Sequence, residues 1–467
     1  MEIISRLENK IPEKAGKDKP KNPSIFEGFF ITCINYLTIF TNMSIEELYK
    51  VYIENPCIET DTRKIKQGSI FFALKGPNFN GNNYVAEAFT QGASFCVCDE
   101  QSVISDSRII YVEDVLCTLQ QLAKHHRQQF NIPVIAITGS NGKTTTKELV
   151  HEVLRTTYKC YTTKGNLNNH IGIPLTLLSI KNDAEIAVIE MGANHLKEIE
   201  GYCLYAMPTH ALITNCGKAH LEGFGGEEGV KKGKGELYNY ILKTNGTVFL
   251  NTDYRYLLEM SAEIKNKISY GSIDATYVGR TNEGNHLLEV EIIKGANIGI
   301  IKTQLAGNYN LPNVMSAVCI GKHFEVADVK IKNALEAYTP TNSRSQIIKK
   351  ETNIILLDAY NANPSSMKVA IENFALMKGE NKIVIIGGMM ELGEESNKEH
   401  ADIIKLLSHY KWKQVVVAGK DFANLPASFL HFNNATEIAV WFKGQRFVDT
   451  TILIKGSRSM AMEKVLE

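Results

Sequence analysis

Residues 134–146, with the sequence VIAITGSNGKTTT, constrain the fold of this chain more than any other segment. A short, mostly β-branched apolar run leads into a turn that contains Gly139 and Gly142, and the turn opens into Lys143 and Thr144. Apolar residues then recur at helical spacing, which predicts a β-strand, a loop and an α-helix in succession. Backbone N–H groups of such a loop surround an anion, and the helix N-terminus adds partial positive charge.

The same segment predicts a nucleotide-binding site. In a phosphate-binding loop the lysine reaches the terminal phosphates and the next hydroxyl ligates Mg²⁺, roles that fall here to Lys143 and Thr144. The general pattern places glycine at position 137, where this chain has Ile137. The alternative is an ordinary strand-to-helix turn that contains glycines. The flanking strand and helix patterns favour the phosphate loop.

The composition of the chain indicates its number of domains, its partners and its cellular compartment. The chain has 467 residues, which indicates more than one domain, and its 51 basic residues balance its 51 acidic ones. This balance gives no global attraction for a polyanion, so we expect no nucleic-acid partner. The nine cysteines include no C-x-x-C pair, which is typical of reduced thiols in a cytoplasm. We therefore expect a cytoplasmic protein.

Residues 1–42 differ from the rest of the chain. Residues 1–22 mix charges and prolines without periodicity, and residues 25–40 are mostly apolar but too few to span a bilayer. We interpret residues 1–42 as a non-essential, disordered extension and expect no stable membrane insertion. A peripheral membrane contact is the alternative. Ser44 and Glu47 then have the spacing of a helix capping box, which indicates a fresh start.

The rest of the chain predicts an α/β protein of three domains. Residues 43–130 form a small N-terminal α/β domain, and residues 131–340 form a central P-loop domain with a parallel sheet. From residue 341 to 467, strand and helix patterns alternate, which predicts a second doubly wound, Rossmann-like sheet.

Polar side chains follow several predicted strands. Glu190 ends the buried run 186–189, and His220 follows the strand 211–215. Because ligands bind at the carboxyl ends of parallel strands, these two side chains and Thr144 are candidates for Mg²⁺ coordination. Each would more often be structural if it stood alone.

Three other groups of residues are candidate binding elements. In the N-terminal domain, turns at strand ends carry Thr62, Arg63, Lys75 and Gly76, although such turns are more often solvated loops. Residues 164–170 and 307–313 are rich in asparagine, whose amides both donate and accept hydrogen bonds, and turn or cap roles are the alternative. Residues 230–238 carry a local basic cluster, which is usually a solvated face.

Six short motifs stand out along the chain: TGSNGKT (138–144), GNLNN (165–169), EMGANH (190–195), AHLEGFG (219–225), YNANP (360–364) and KGSRS (455–459). Taken together, they resemble the Mur ligases, the ATP-dependent amide-bond synthetases of peptidoglycan assembly. The resemblance covers about residues 43–467, and TGSNGKT alone would fit several ATPases. The five motifs after TGSNGKT together resemble the branch that adds D-alanyl-D-alanine to UDP-N-acetylmuramoyl-tripeptide. The Asp-Asn-Pro-Arg tetrapeptide, typical of the preceding family member that adds the third amino acid, does not occur in this chain.

The resemblance implies the roles of individual residues. Its N-terminal domain would bind the uridine nucleotide, the central domain would bind ATP with two Mg²⁺ ions, and the C-terminal domain would close over the site about a hinge near residues 339–341. The implied ATP-binding residues are Thr138, Gly139, Ser140, Asn141, Gly142, Lys143, Thr144, Thr145, Asn310, Asn313, Arg344 and Asp358. The implied metal ligands are Thr144, Glu190 and His220, and the implied catalytic residues are Lys143, His220 and Lys234. The implied substrate-binding residues are Thr62, Arg63, Lys75, Gly76, Asn166, Asn168, Asn169, Tyr360, Asn361, Asn363, Lys455 and Arg458.

Two interpretations of Lys234 stay open at this point. Its position resembles that of a carbamylated lysine, which would support the second metal ion in related ligases. Alternatively, it is an exposed lysine in a basic cluster with Lys231 and Lys232. The chain also departs from the family pattern at three places: Tyr309 replaces a frequent His, Gly388 replaces a frequent Asp, and Asn80-Gly81-Asn82 stands for Asp-Gly-His.

Other functions remain as alternatives. Another Mur ligase or a folylpolyglutamate synthetase would share the loop and the folds. A non-catalytic nucleotide-binding protein is the alternative from another class, and it would be favoured if Lys143, Glu190 and His220 did not converge. We expect a monomer that acts on small-molecule substrates.

Overall fold

The structure is a computed structural model that describes residues 43–103, 106–282, 287–341 and 343–467. The predicted extension, residues 1–42, lies outside the described residues. The described chain divides into two compact units, of which one includes Glu59–Val115 and the residues up to Glu47. The other contains Leu48–Ile58 and Leu116–Glu467. The predicted domain boundaries at residues 130 and 340 stay predictions.

The first described helix begins at the predicted capping box. The backbone N–H of Ser44 donates to Glu47 Oε2 at 2.8 Å, and the Glu47 N–H donates to Ser44 Oγ at 3.2 Å. Further along, four short strands of this region form a sheet of order β1-β2-β5-β6, as far as the described residues show. The elements up to residue 127 are α1 (Ile45–Glu54), β1 (Ile58–Glu59), β2 (Ser69–Phe72), β3 (Lys75–Gly76), β4 (Phe79–Asn80), α2 (Val85–Thr90), β5 (Ala93–Cys98), β6 (Ile109–Tyr111) and α3 (Val115–Arg127).

The predicted phosphate loop belongs to a larger sheet. Among the described residues, nine strands follow the order β15-β14-β13-β12-β11-β10-β7-β9-β8. The strands from β7 to β13 pair in parallel, whereas β13, β14 and β15 pair antiparallel, an extension that the sequence patterns did not predict. The elements are β7 (Val134–Thr138), α4 (Lys143–Leu154), β8 (Cys160–Thr162), α5 (Gly172–Leu178), β9 (Ile186–Glu190), α6 (Glu198–Ala206), β10 (His210–Ile213), α7 (Leu221–Phe224), α8 (Glu227–Thr244), β11 (Thr247–Asn251), α9 (Arg255–Met260), β12 (Asn266–Gly271), β13 (Tyr277–Asn282), β14 (Leu287–Lys294), β15 (Ile300–Ala306), α10 (Leu311–His323) and α11 (Asp328–Ala337).

The last third of the chain forms the second predicted parallel sheet. Where the structure describes it, the order is β16-β17-β21-β18-β19-β20, and only β16 at one edge is antiparallel. The predicted α/β fold class is thus confirmed. The elements are β16 (Gln346–Lys350), β17 (Asn353–Asp358), α12 (Pro364–Leu376), β18 (Asn381–Gly387), α13 (Ser396–Ser408), β19 (Gln414–Ala418), β20 (Phe429–Phe432), α14 (Ala435–Lys443) and β21 (Thr450–Lys455).

Strand register places the polar strand ends side by side. In the larger sheet, Ile137 of β7 pairs with Glu190 of β9, and Thr138 pairs with Ile213 of β10. The strands are buried apolar runs, so a polar residue is reached only where each run ends. Within the described part of the chain, no helix is long and apolar enough to cross a membrane.

A glycine pair tests the packing of helix α8. A Cβ at Gly229 would lie 1.8 Å from the Phe224 carbonyl oxygen, whereas a Cβ at Gly201 in α6 would meet nothing within 4 Å. We expect Gly229→Ala to lower the free energy of unfolding by about 1–3 kcal/mol through overpacking. The control Gly201→Ala should raise it by about 0.5–1 kcal/mol because alanine is the better helix former. Equal shifts for the two variants in urea titrations would contradict this packing.

Candidate active site

A cavity of about 1140 Å³ opens at the carboxyl ends of the strands in the larger unit. Its wall combines the phosphate loop, the asparagine-rich loop before α5, the ends of β9 and β10, and segments that follow β17 and β21. The predicted site residues on this wall are Ser140, Asn141, Gly142, Lys143, Thr144, Thr145, Asn166, Asn168, Asn169, Glu190, His220, Asn310, Asn313, Arg344, Asp358, Tyr360, Asn361, Asn363, Lys455 and Arg458.

The phosphate loop has two positions that only glycine fits. Gly139 has φ of 143°, and a Cβ there would lie 2.0 Å from Thr214 Oγ1. Gly142 has φ of 79°, and a Cβ there would lie 2.6 Å from Asn313 Oδ1. Ile137, the departure from the general loop pattern, is a buried strand residue of β7, and the tight turn begins two residues later. The loop is therefore packed closely against both the β10 end and helix α10.

Lys143 folds back over the loop. Its Nζ donates to the carbonyl oxygens of Gly139 at 2.6 Å and of Ser140 at 3.2 Å. Burial lowers the pKa of Lys143 to about 8; the carboxylate of Glu190 opposes this shift, and the charge of Arg344 adds to it. The ammonium group thus lies within the loop that would surround phosphate groups.

Glu190 forms the acidic centre of the cavity. Its Oε1 accepts hydrogen bonds from Thr144 Oγ1 at 3.1 Å and from Asn168 Nδ2 at 2.7 Å. The side chain is 1% exposed, and its Oε2 has no hydrogen-bond partner among the described residues. Burying a carboxylate oxygen that has no partner costs free energy. A carboxylate and a neighbouring hydroxyl are oxygen ligands of the kind that Mg²⁺ prefers, so a bound ion would supply that partner. The residues present therefore fit the predicted metal ion.

His220 contacts the C-terminal part of the chain. Its Nδ1 hydrogen-bonds to the Oε2 of Glu391, a residue that sequence analysis did not select. This hydrogen bond lowers the pKa of Glu391, against the raising effect of burial. Among the described residues, there is no group of three or more His, Cys, Asp or Glu side chains with metal-binding geometry. The metal role of His220 thus stays a prediction.

Lys234 is not an exposed lysine, and that interpretation of the basic cluster is wrong for this residue. Its side chain is 0% exposed on helix α8, where Nζ donates to the Ala193 carbonyl at 2.9 Å and lies 4.8 Å from the centre of the Phe224 ring. Burial, together with the positive charge of Lys143, lowers the pKa of Lys234 to about 7. The helix turns this position inward while Lys232 on the same helix stays exposed. Lys234 itself is not on the cavity wall described above.

The two asparagines at the start of α10 are held by other side chains. Asn310 Nδ2 donates to the Ala306 carbonyl at 2.8 Å, and its Oδ1 accepts from Asn313 Nδ2 at 2.8 Å. Asn313 Oδ1 accepts from Thr146 Oγ1 of helix α4 at 3.0 Å. These bonds connect the second asparagine-rich segment to the helix that follows the phosphate loop.

Charged residues of the C-terminal sheet complete the wall. Register pairs Asp358 at the end of β17 with Lys455 at the end of β21, and Lys455 Nζ lies 2.5 Å from Asp358 Oδ2. Arg344 stacks over the Tyr360 ring at 3.6 Å, and its buried Nε has no hydrogen-bond partner within the described ranges. Arg458 pairs with Glu463 at 3.0 Å.

Polar contacts join the two sheets across the cavity. Asn363 Nδ2 donates to Asn141 Oδ1 at 2.8 Å, and its own Oδ1 caps α12 by accepting from Ser366 N–H. Lys218 Nζ donates to Glu399 Oε1 at 2.6 Å. The phosphate loop is therefore in direct contact with the YNANP motif.

The predicted substrate residues of the first unit lie among local ion pairs. Arg63 binds Asp61 through two hydrogen bonds of 2.8 Å, next to Thr62. Lys75, which precedes Gly76, lies 2.9 Å from Asp99 and 3.1 Å from Glu100. The asparagines of the Asn80-Gly81-Asn82 turn donate to the same two acids, Asn80 to Glu100 and Asn82 to Asp99. A polar cluster thus surrounds this turn.

Three family descriptions match the chain. They are "Mur ligase family, catalytic domain" over residues 56–127, "Mur ligase middle domain" over residues 137–321, and "Mur ligase, glutamate ligase domain" over residues 343–458. The chain is 33% identical over 453 residues to the UDP-N-acetylmuramoyl-tripeptide–D-alanyl-D-alanine ligase of Bacillus subtilis strain 168, covering 91% of this chain and 97% of that protein.

The chain belongs to the Mur ligase family.

Solved structures agree with this assignment. The chain is similar to the MurF ligase from Thermotoga maritima in complex with ADP, with 27% identity, a TM-score of 0.80, and coverage of 89% of this chain and 97% of that one. It is similar to MurF from Acinetobacter baumannii, with 29% identity, a TM-score of 0.79, and coverage of 88% and 92%. The predicted family, and its fold of N-terminal, middle and C-terminal domains, are confirmed.

Two departures from the Mur ligase pattern have local explanations. Tyr309 shares a hydrogen bond with Ser345 Oγ at 2.9 Å, so it joins the segments on either side of the predicted hinge at residues 339–341. A Cβ at Gly388 would lie 3.3 Å from Asp421 Oδ2, so this chain already has a carboxylate beside that position.

Several residues on the cavity wall were not predicted from the sequence. Tyr202, Tyr254, Tyr256 and Glu391 all line it, and the Tyr256 hydroxyl accepts a hydrogen bond from Cys216 N–H at 3.1 Å. The tyrosines at 254 and 256 follow the end of β11, so the rule that selected Glu190 would also have selected them. Glu391 likewise follows the end of β18 (Asn381–Gly387), so the same rule would have selected it too.

The pKa of Lys234 leads to a prediction about pH. Between its folded pKa of about 7 and the ordinary lysine value, the unfolded chain binds one more proton, so stability should rise with pH. In CO₂-free buffer, we expect the free energy of unfolding of the wild type to rise relative to that of Lys234→Met. The rise should reach up to about 1.4 kcal/mol per pH unit in this window. Urea titrations at two pH values measure the difference, with exposed Lys232→Met as the control. A difference that stays constant with pH would contradict the assignment.

Proposed function

We propose that this chain catalyses the ATP-dependent addition of D-alanyl-D-alanine to UDP-N-acetylmuramoyl-tripeptide. The observation that carries the proposal is one cavity in which Lys143, Thr144 and Glu190 face the YNANP and KGSRS segments. Phosphate chemistry and a second substrate can therefore meet at one place. The relative from Bacillus subtilis, named for this reaction, matches 91% of the chain.

The first step activates a carboxylate. An oxygen of the terminal carboxylate of the tripeptide attacks the γ-phosphorus of ATP, an acyl phosphate forms, and ADP leaves. Two anions must approach each other in this step, so the positive charge of Lys143 within the loop would offset their repulsion. The loop N–H groups and the N-terminus of α4 would hold the phosphates in line.

The second step forms the amide bond. The amine of D-alanyl-D-alanine attacks the acyl carbon, and the tetrahedral intermediate expels inorganic phosphate as the amine loses a proton. Water would hydrolyse the acyl phosphate, so the site needs to be closed during this step. The Asn363–Asn141 hydrogen bond between the two sheets supports closure at the phosphate loop itself.

Thr144 and Glu190 would hold one Mg²⁺ ion, and His220 would contribute to a second. When bound, Mg²⁺ offsets the charge of the transferring phosphate and orients it. The unpaired Oε2 of Glu190 supports this assignment. ATP is the second component of this site. Asn310 and Asn313 would face its adenine, Asp358 would meet the ribose, and Arg344 would meet a phosphate.

Lys234 would act as a carbamate. A neutral amine is the form that adds CO₂, and a buried lysine with a pKa of about 7 is largely neutral above that pH. The carbamate is an anion with oxygen ligands, which suits a hard cation better than an ammonium group does.

The remaining predicted residues would bind the two substrates. Asn361, Asn363, Lys455 and Arg458 are proposed for the dipeptide, and Asn166 and Asn169 for the tripeptide. In the N-terminal unit, Thr62, Arg63, Lys75 and Gly76 are proposed for the uridine nucleotide. A monomer in the cytoplasm remains the prediction from the sequence.

An amide-forming assay tests the proposed function. The enzyme is given ATP, Mg²⁺ and UDP-N-acetylmuramoyl-tripeptide with D-alanyl-D-alanine, free D-alanine or L-amino acids, and in parallel a folate with glutamate. We expect product and phosphate release with D-alanyl-D-alanine. Turnover with a single amino acid or with the folate would replace the proposal by another ligase activity, and no ATP-dependent turnover would favour a nucleotide-binding role.

In the same assay, Lys143→Ala should lose activity while remaining folded. The substitution removes charge stabilisation at the transferring phosphate, and the loss should be on the order of 10²-fold or more in kcat. Thermal melting serves as the control for folding. Retained turnover at saturating Mg²⁺ would exclude this loop as the site of phosphoryl transfer.

The carbamate proposal has a separate prediction. Lys234→Ala should lose activity, and added short carboxylates should partly restore it because they can supply the missing oxygen ligand. Removal of CO₂ should lower wild-type activity, and bicarbonate should return it. Near wild-type activity of Lys234→Ala in CO₂-free buffer would show that Lys234 acts through packing alone.

A further inference from the structure

Lys147 is a buried lysine that the proposed chemistry does not use. It lies one turn after Lys143 on helix α4 and is 3% exposed. Its Nζ donates to the Thr163 carbonyl at 2.9 Å, and the nearest carboxylate oxygen, Glu148 Oε1, is 3.6 Å away. Burying an ammonium group costs free energy unless its contacts in the protein offset the loss of hydration. The hydrogen bond to the Thr163 carbonyl is therefore the main contact that offsets this cost.

Thr163 connects Lys147 to the acidic centre of the cavity. It is fully buried just after β8, and its Oγ1 accepts a hydrogen bond from the backbone N–H of Glu190 at 3.0 Å. Its own N–H donates to the Val188 carbonyl at 3.2 Å. Thr163 thus accepts two hydrogen bonds, one at its carbonyl from Lys147 Nζ and one at its side-chain hydroxyl from the backbone N–H of Glu190.

The loop that begins at Thr163 also carries Asn168. Asn168 Nδ2 donates to Glu190 Oε1 at 2.7 Å, and its carbonyl accepts from Gly192 N–H at 2.8 Å. The position of this loop therefore sets both the backbone and the carboxylate of Glu190. On the other side, Lys147 belongs to the helix that carries Thr144, the other hydrogen-bond partner of Glu190 Oε1.

We infer that Lys147 is a positioning residue that ties helix α4 to the loop 163–169 and thereby holds Glu190 and Asn168 against the phosphate loop. The inference rests on the proposed function only in taking Mg²⁺ and ATP as the ligands of this site. Without the ammonium group, the Thr163 carbonyl loses its donor and the loop can move away from the helix. The expected loss is in the affinity for Mg²⁺ with ATP, of about tenfold, as for other residues that orient a ligand of a metal.

The experiment compares the wild-type enzyme with Lys147→Met, which removes the ammonium group but retains an unbranched apolar side chain. Calorimetric titration with ATP at several Mg²⁺ concentrations gives affinity, and hydrogen–deuterium exchange followed on peptides covering residues 163–170 and 190–192 reports the loop. We expect weaker binding and faster exchange in both peptides. Lys330→Met is the matched control, since Lys330 also donates to a backbone carbonyl near the far end of α4, that of Thr156 at 3.0 Å, but is exposed.

A second pair of variants tests the hydrogen bond between the Thr163 hydroxyl and the backbone N–H of Glu190. Thr163→Val removes the acceptor for Glu190 N–H and should reproduce the loss, whereas Thr163→Ser retains it and should bind as wild type. The inference is overturned if folded Lys147→Met binds Mg²⁺ with ATP as tightly as wild type and exchanges equally slowly. If Lys147→Met does not fold, wild-type binding and exchange by Thr163→Val overturn it instead.

These measurements separate the two proposals. Binding and exchange require neither the tripeptide nor the dipeptide. Loss of affinity in Lys147→Met together with a wild-type enzyme that forms no amide bond would therefore support the positioning role and reject the ligase assignment. Amide formation by the wild type together with unchanged binding by Lys147→Met would support the ligase assignment and reject the positioning role.

Discussion

The parallel register of β7, β9 and β10 is the constraint on which the rest of this structure depends. Because Ile137 pairs with Glu190 and Thr138 pairs with Ile213, three buried strands end at one level. Buried apolar strands leave no place for a charge along their length, so polar residues collect where the strands end. A shift of register in one strand would separate the phosphate loop from its carboxylate and leave each incomplete.

Several ionisable side chains at or near these strand ends are buried, a placement that would be unfavourable in an ordinary apolar core. Glu190 has an oxygen without a partner among the described residues, and Lys234 and Lys147 each donate to a backbone carbonyl at close range. Burying an ionisable group costs free energy unless its hydrogen-bond partners offset that cost, so the surrounding fold has to hold each group in place. Such unfavourable arrangements cluster at functional sites, because a bound anion or cation would supply the missing partner.

The contact between the middle and C-terminal sheets has a different character. It includes directional polar bonds between side chains at loop and helix ends, such as Asn363 to Asn141 and Lys218 to Glu399. Separating such groups lets water replace the lost hydrogen bonds, whereas separating an apolar core exposes surface at a large cost. A polar contact of this kind is consistent with a site that closes for the reaction and opens for product release.

The sequence by itself determined the features that are encoded in contiguous residues. The phosphate loop with its flanking strand and helix, the α/β class and the family were predictable because periodicity and motifs are local. Tertiary structure alone decided that Lys234 is buried, that His220 meets Glu391 from 171 positions away, and that Lys147 reaches Thr163. The physical reason is that burial and pairing depend on which distant segments the sheet brings together, and no local pattern records that distance.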